Sequence, residues 1–85
     1  MQVQTEEVLF TDWQDFNASD FGAVISLARK GSLPRLIVVK AAGDLKCTKA
    51  NGEDGTLTAV PAGFEHRAPT ATIAAGQTTP ITVYW

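Results

Sequence analysis

Two residues of this chain have the chemistry of a nucleophile and a base: Cys47 and His66, the single cysteine and the single histidine. Paired, they would make a covalent catalyst, provided a positive neighbour or a helix N-terminus acidified the thiol. Cys47 stands instead in the alternating run Leu45-Lys46-Cys47-Thr48, where it reads as a small core residue on the apolar face of a strand. One Cys and one His do not supply the three or four ligands of a zinc site, and a lone cysteine closes no intramolecular disulfide. The run Asn51-Gly52-Glu53-Asp54-Gly55 carries calcium-type oxygens without the spacing of an EF-hand, and reads as a solvated hairpin tip. No Gly-rich turn follows a strand and opens a helix, so nothing cradles a phosphate. No catalytic, metal or cofactor-binding residue is assigned, and no enzyme activity or cofactor is expected.

What remains is contact chemistry. Trp13, Tyr84 and Trp85 have apolar faces with a polar edge, suited either to stacking on a sugar ring or to anchoring a subunit interface. The interface is the preferred reading; a small carbohydrate-binding β module is the alternative. Residues 1–20 hold five of the nine acidic residues together with Val8, Leu9, Phe10, Trp13 and Phe16. These five apolar side chains require a surface to cover, either their own domain or another subunit.

Size points the same way. A chain of 85 residues forms one domain and buries only about 60–65% of its unfolded surface, so its lone core is marginal and oligomerisation is an expected remedy. Net charge is −2, and apart from Arg29-Lys30 the seven basic residues are scattered along the sequence, which argues against a nucleic-acid partner. The start, MQVQTEEVLF, has neither a basic n-region nor an apolar run of signal-peptide length, and no stretch is long enough to span a membrane.

The elements that position these residues are mostly strands. In residues 1–20, expected to be an N-terminal arm, Leu9, Trp13 and Phe16 fall at helical spacing and Thr11 with Gln14 makes a capping-box pattern; a short helix and an extended arm both fit. Residues 19–31 satisfy both a helix pattern, with Ser19 as N-cap, and an alternating strand pattern. From residue 21 to 85 the chain reads as a β domain. Leu36-Ile37-Val38-Val39 is a buried strand, Ala41-Ala42-Gly43 a turn, and residues 44–49 an alternating strand, so that Leu36 to Thr48 forms a first hairpin. Residues 56–60 form the next strand, Pro61-Ala62-Gly63 a turn, residues 64–73 a strand edged or bulged at Pro69, and Ile81 to Trp85 the last. The expected fold is mainly β: a small antiparallel meander forming a sandwich or a partly open barrel.

With these elements placed, the chain resembles small tailed-phage and gene-transfer-agent virion proteins of the head-spike-base type. The likeness rests on the apolar strand Leu36 to Val39, the turn Gly43-Asp44, the strand Leu45 to Thr48, and the turn Val60 to Gly63. It continues through Glu65 to Ile73, the loop Ala75 to Thr79, the aromatic-ended strand Ile81 to Trp85, and SDFGAVI at Ser19 to Ile25. The chain departs from the pattern in having SLARKGSLP after the opening segment and in its more aromatic start. The resemblance implies a virion structural protein, made in the bacterial cytoplasm. It implies a homo-oligomeric ring, pentamer or trimer, that serves as head spike base or decoration protein, contacts capsid protein and holds a spike or fibre. A minor tail or connector position is the variant of that reading. In such a ring Val8, Leu9, Phe10, Trp13 and Phe16 would anchor the arm, and Tyr84 and Trp85 would pack at the subunit seam.

Overall fold

A computed structural model describes residues 12–85. Nine short strands account for most of the regular structure: β1 (Trp13–Phe16), β2 (Ile25–Ser26), β3 (Leu36–Val39), β4 (Gly43–Leu45), β5 (Cys47–Lys49), β6 (Leu57–Val60), β7 (Glu65–His66), β8 (Thr70–Ile73) and β9 (Ile81–Tyr84). One 3-10 turn, Ala18–Asp20, interrupts them; Asn17 and Asp20 cap it reciprocally, with the Asn17 N–H donating to Asp20 Oδ2 at 2.8 Å.

The strands form three antiparallel sheets, ordered β1-β9-β3-β7, β2-β8-β5 and β4-β6. Among the described residues none closes on itself, and the mainly β class expected from the pattern, a small sandwich or a partly open fold, holds. The connectivity, however, is not that of successive hairpins: each strand is followed by one in a different sheet. The hairpin expected over residues 36–48 does not form. β3 pairs with β7 and β9, whereas β4 pairs with β6. Leu36 to Val39 is apolar on both faces and suits a central strand covered on each: Ile37 and Val39 enter the core on one side, and Leu36 is 6% exposed on the other.

The same reasoning explains where single long strands break. Residues 44–49 split at Lys46 into β4 and β5, which belong to different sheets, although Leu45 and Cys47 still both point into the core. Residues 64–73 split between His66 and Thr70; Pro69, which has no N–H for a ladder, sits at the crossing. Residues 19–31 are neither the full helix nor the full strand: they supply the last residues of the 3-10 turn, the two-residue β2, and a tight turn in which Arg29 and Ser32 exchange backbone bonds at 2.8 and 2.7 Å.

Of the short helix and the extended arm that both fit the pattern near Trp13, residues 13–16 take the extended form, as a strand. Three residues apart on a helix, Trp13 and Phe16 would share a face; on β1 they point oppositely, Trp13 outward at 64% exposure and Phe16 inward at 7%. β1 pairs with β9 in register Trp13↔Tyr84 to Phe16↔Ile81, so residues drawn within the arm at 1–20 are built into the sheet.

The core is shared by all three sheets. Phe16, Ile37, Val39, Ile81 and Val83 come from the four-stranded sheet, Cys47 and Ile73 from the three-stranded one, Leu45 and Val60 from the pair, with Phe21, Leu27 and Trp85 filling between them. The crossing from β4 to β5 is held by one buried side chain, Gln77. Its Oε1 accepts the Lys46 N–H at 2.7 Å, and its Nε2 donates to the carbonyls of Asp44 (2.8 Å) and Thr79 (3.1 Å). A side-chain amide thus replaces the ladder bonds that the chain gives up when it changes sheets. Gly43, at φ +155°, lets the chain enter β4 beside Thr79, whose Oγ1 occupies the position a Cβ would need. Among the described residues no helix is long and apolar enough to cross a membrane.

Candidate interaction surface

The catalytic pair considered first is not assembled as one. Cys47 and His66 line a common small cleft of about 190 Å³ with Thr48, Lys49 and Leu57. The thiol points to the Gly55 carbonyl at 3.4 Å, and burial, helped by the nearby Asp54 charge, pushes its pKa up. Burial likewise pushes the His66 imidazole down. A thiol held protonated next to a neutral imidazole is the reverse of an activated nucleophile. The oxygens of residues 51–55 are occupied by their own loop: Asn51 Oδ1 accepts the Glu53 N–H, and Asp54 Oδ1 accepts both the Thr56 N–H and its hydroxyl, which hold the Asp54 carboxyl below its usual range. Among the described residues no three His, Cys, Asp or Glu side chains converge on a point.

Contact chemistry gathers on the outer face of the four-stranded sheet, where Leu36 and Thr82 are already covered, and at the end at which β9 stops. Strand register places Trp13, Tyr84 and Leu36 in one row across that face, and Asp15, Thr82, Val38 and Glu65 in the next. Asp15 is tied down by the Thr82 hydroxyl at 2.5 Å and by Lys40 Nζ at 3.5 Å, which together hold its carboxyl below the usual range. Trp13 is on an edge strand among the described residues, and with Val24 is a large apolar side chain left exposed.

Tyr84 and Trp85 do not act together. As neighbours at the end of a strand they face opposite ways. Tyr84 lies on the outer face, half-buried, whereas Trp85 turns inward and is 5% exposed. Its indole Nε1–H donates to the Leu27 carbonyl at 2.6 Å, its backbone N–H to Asp12 O at 2.9 Å, and the Arg29 guanidinium lies 3.8 Å over its ring. Trp85, expected at a subunit seam, is therefore enclosed by its own chain and has little surface to offer a neighbour. Phe16, expected as an arm anchor, is likewise inside, its ring centroid 5.9 Å from that of Phe21. Val8, Leu9 and Phe10 lie outside the described residues. The three aromatics that would have formed a sugar platform are thus divided, with only Trp13 and Tyr84 on one face.

Around Trp85 the fold assembles something the sequence pattern did not announce. Asp12, Arg29, Lys30, Ser32, Leu33, Arg35 and Trp85 line a cleft of about 480 Å³, and a second of similar size adjoins it along Ser32 to Arg35 with Arg67 and Pro69. Four of the seven basic residues, scattered in sequence, meet there. Arg29 is oriented by Asp12 and Gln14, both of which accept from its guanidinium. The pair Arg29-Lys30 was the only hint of this in the sequence; Arg35 and Arg67 join it because β3 and β7 are neighbours.

No family model matches this chain, and no curated protein does. Among solved structures, a chain in the capsid of a native gene-transfer-agent (GTA) particle, computed with C5 symmetry, superposes with a TM-score of 0.60 and 20% sequence identity, covering 100% of both chains. That likeness is one of fold, over the whole length.

Proposed function

We propose that this chain is a structural protein of a gene-transfer-agent or tailed-phage particle, a head spike base or decoration subunit that assembles as a symmetric ring and works by protein contact alone. The observation that carries the reading is the full-length fold likeness to a chain in the capsid of a native GTA particle computed with C5 symmetry. An exposed Trp13 beside Tyr84, on a strand that is an edge among the described residues, supports it. In the ring, which the C5 likeness favours as a pentamer, Trp13 with Val8, Leu9 and Phe10 anchors the N-terminal segment on capsid protein or on the next subunit. Tyr84 lies at the seam, and the exposed side of the ring carries a spike or fibre.

The test is fractionation of particles from the source cells on a density gradient, with mass spectrometry for the chain. Co-sedimentation with DNA-containing particles at a copy number small against the capsid protein is expected. Presence only in soluble fractions, with particles in the same lysate, would sink the virion reading. Truncation of residues 2–11, which leaves β1 whole, should abolish incorporation while the far-UV circular dichroism stays that of a β protein.

A further inference from the structure

We propose that Asn51 is a self-modifying residue: the backbone nitrogen of Gly52 attacks the Asn51 side-chain amide, and the hairpin tip converts to aspartate and isoaspartate forms. The inference is independent of the ring reading above, since it concerns one loop of a single chain. In the first step the Gly52 N–H gives up its proton and the nitrogen bonds to Asn51 Cγ. The Cγ–Nδ2 bond breaks, Nδ2 leaves as ammonia with one added proton, and a five-membered succinimide remains. Water then opens either carbonyl of that ring, giving aspartate or the isomer whose main chain runs through the side chain. Each conversion adds one negative charge beside Glu53 and Asp54 in a chain of net charge −2. The isoaspartate form also lengthens the main chain between the paired residues Lys49 and Glu53.

The first ground is the attacking nitrogen. A side chain on the residue after the asparagine would crowd it, whereas Gly52 has none, stands at φ +89° and has open space where a Cβ would lie. Residues 51–54 are all exposed, so water reaches both the amide and the ring. The Gly52 N–H donates to the Lys49 carbonyl at 2.9 Å, and that bond must open before attack. It closes an exposed tip beyond the end of β5, where local opening costs least.

The second ground is the carbonyl under attack. Asn51 Oδ1 accepts the Glu53 N–H at 3.0 Å, which folds the side chain forward along the Gly52 peptide. In the tetrahedral intermediate negative charge collects on Oδ1, so the Glu53 N–H is already aimed at the oxygen that needs it. The Glu53 carbonyl in turn accepts the Lys49 N–H at 2.7 Å, which holds the donor in place.

Two other positions supply the contrast. Asn17, the second of the two asparagines, precedes Ala18, whose methyl group crowds the nitrogen. Asp54-Gly55 repeats the folded-back side chain, Asp54 Oδ1 accepting from the Thr56 N–H and hydroxyl. Those bonds keep the Asp54 carboxyl ionised, and an ionised carboxylate resists attack and has no ammonia to expel. Reaction is expected at Asn51 and at neither of the others.

The experiment incubates the full-length folded chain in mildly alkaline buffer and follows its tryptic peptides by mass spectrometry. The peptide of residues 50–67 should gain about one dalton and resolve into two products, one of them a substrate for protein isoaspartyl methyltransferase. The peptide that contains Asn17 should not change. Asn51→Gln, at an exposed position, should abolish the gain, because attack would then have to close a six-membered ring. The same chain unfolded in urea is the reference: the native rate should equal or exceed the unfolded rate, since the fold supplies the Glu53 donor. A native rate about tenfold or more below the unfolded one overturns the proposal, because the Gly52–Lys49 bond then protects the amide. Aspartate formed without isoaspartate overturns it as well, since direct hydrolysis then bypasses the ring.

Discussion

Gln77 is 1% exposed, and its amide is hydrogen-bonded to three backbone groups at the point where the chain leaves one sheet for another. Replacement by leucine keeps most of the volume and removes every polar partner at once. Each hydrogen bond contributes about 1 kcal/mol net, and a buried backbone group left unpaired costs about 1–3 kcal/mol. The Lys46 N–H and the Asp44 and Thr79 carbonyls all lose a partner, for an expected destabilisation of about 3–5 kcal/mol after partial rehydration of the less buried ones. A domain of 85 residues holds about 4–13 kcal/mol in all, so Gln77→Leu should remove a large share. Urea denaturation followed by tryptophan fluorescence reads this as a lowered midpoint at unchanged m. Gln77→Glu adds a signature: the carboxylate still accepts from Lys46 but repels two carbonyls, and protonation returns one donor, so its deficit should shrink as pH falls. A Gln77→Leu variant within about 1 kcal/mol of wild type at equal m would refute the idea that this amide holds the crossing.

Gly43→Ala combines a positive φ with a Cβ that meets Thr79 Oγ1, and should cost about 1–3 kcal/mol, part of it recovered in the double variant with Thr79→Ala, measured by the same denaturation. Trp85→Phe strands the Leu27 carbonyl and should lose about 1–3 kcal/mol. Trp13→Ala, by contrast, should leave monomer stability within about 0.5 kcal/mol while reducing assembly, since its side chain is exposed. Burial depresses the His66 pKa, so the unfolded chain takes up a proton that the folded chain resists. The His66 contribution is therefore complete above the ordinary value near 6.5 and is lost as pH falls through the folded value. A His66→Gln variant should show a flatter stability profile across that window, and an unchanged slope would remove His66 as its cause.

Local pattern determined the strand content of this protein and much of its facing. The period-2 alternation through Leu45 and Cys47, the unbroken apolar run Leu36 to Val39 and the Gly turns at residues 52, 63 and 76 each mark an element that the chain forms, because side-chain direction in a strand depends only on neighbours in sequence. Pairing does not. Which strand lies beside β3 depends on where residues 65–66 and 81–84 return, far along the chain, and the sheet-to-sheet alternation is visible in no local window. Trp85 shows the same division: its position at a strand end is legible, but its enclosure needs Leu27 and Arg29 brought across from β2 and the turn after it. The basic cleft is the clearest case. Arg29, Lys30, Arg35 and Arg67 lie apart in sequence and line two adjoining clefts only in the folded chain, where Asp12 pairs with Arg29 and Glu65 with Arg67.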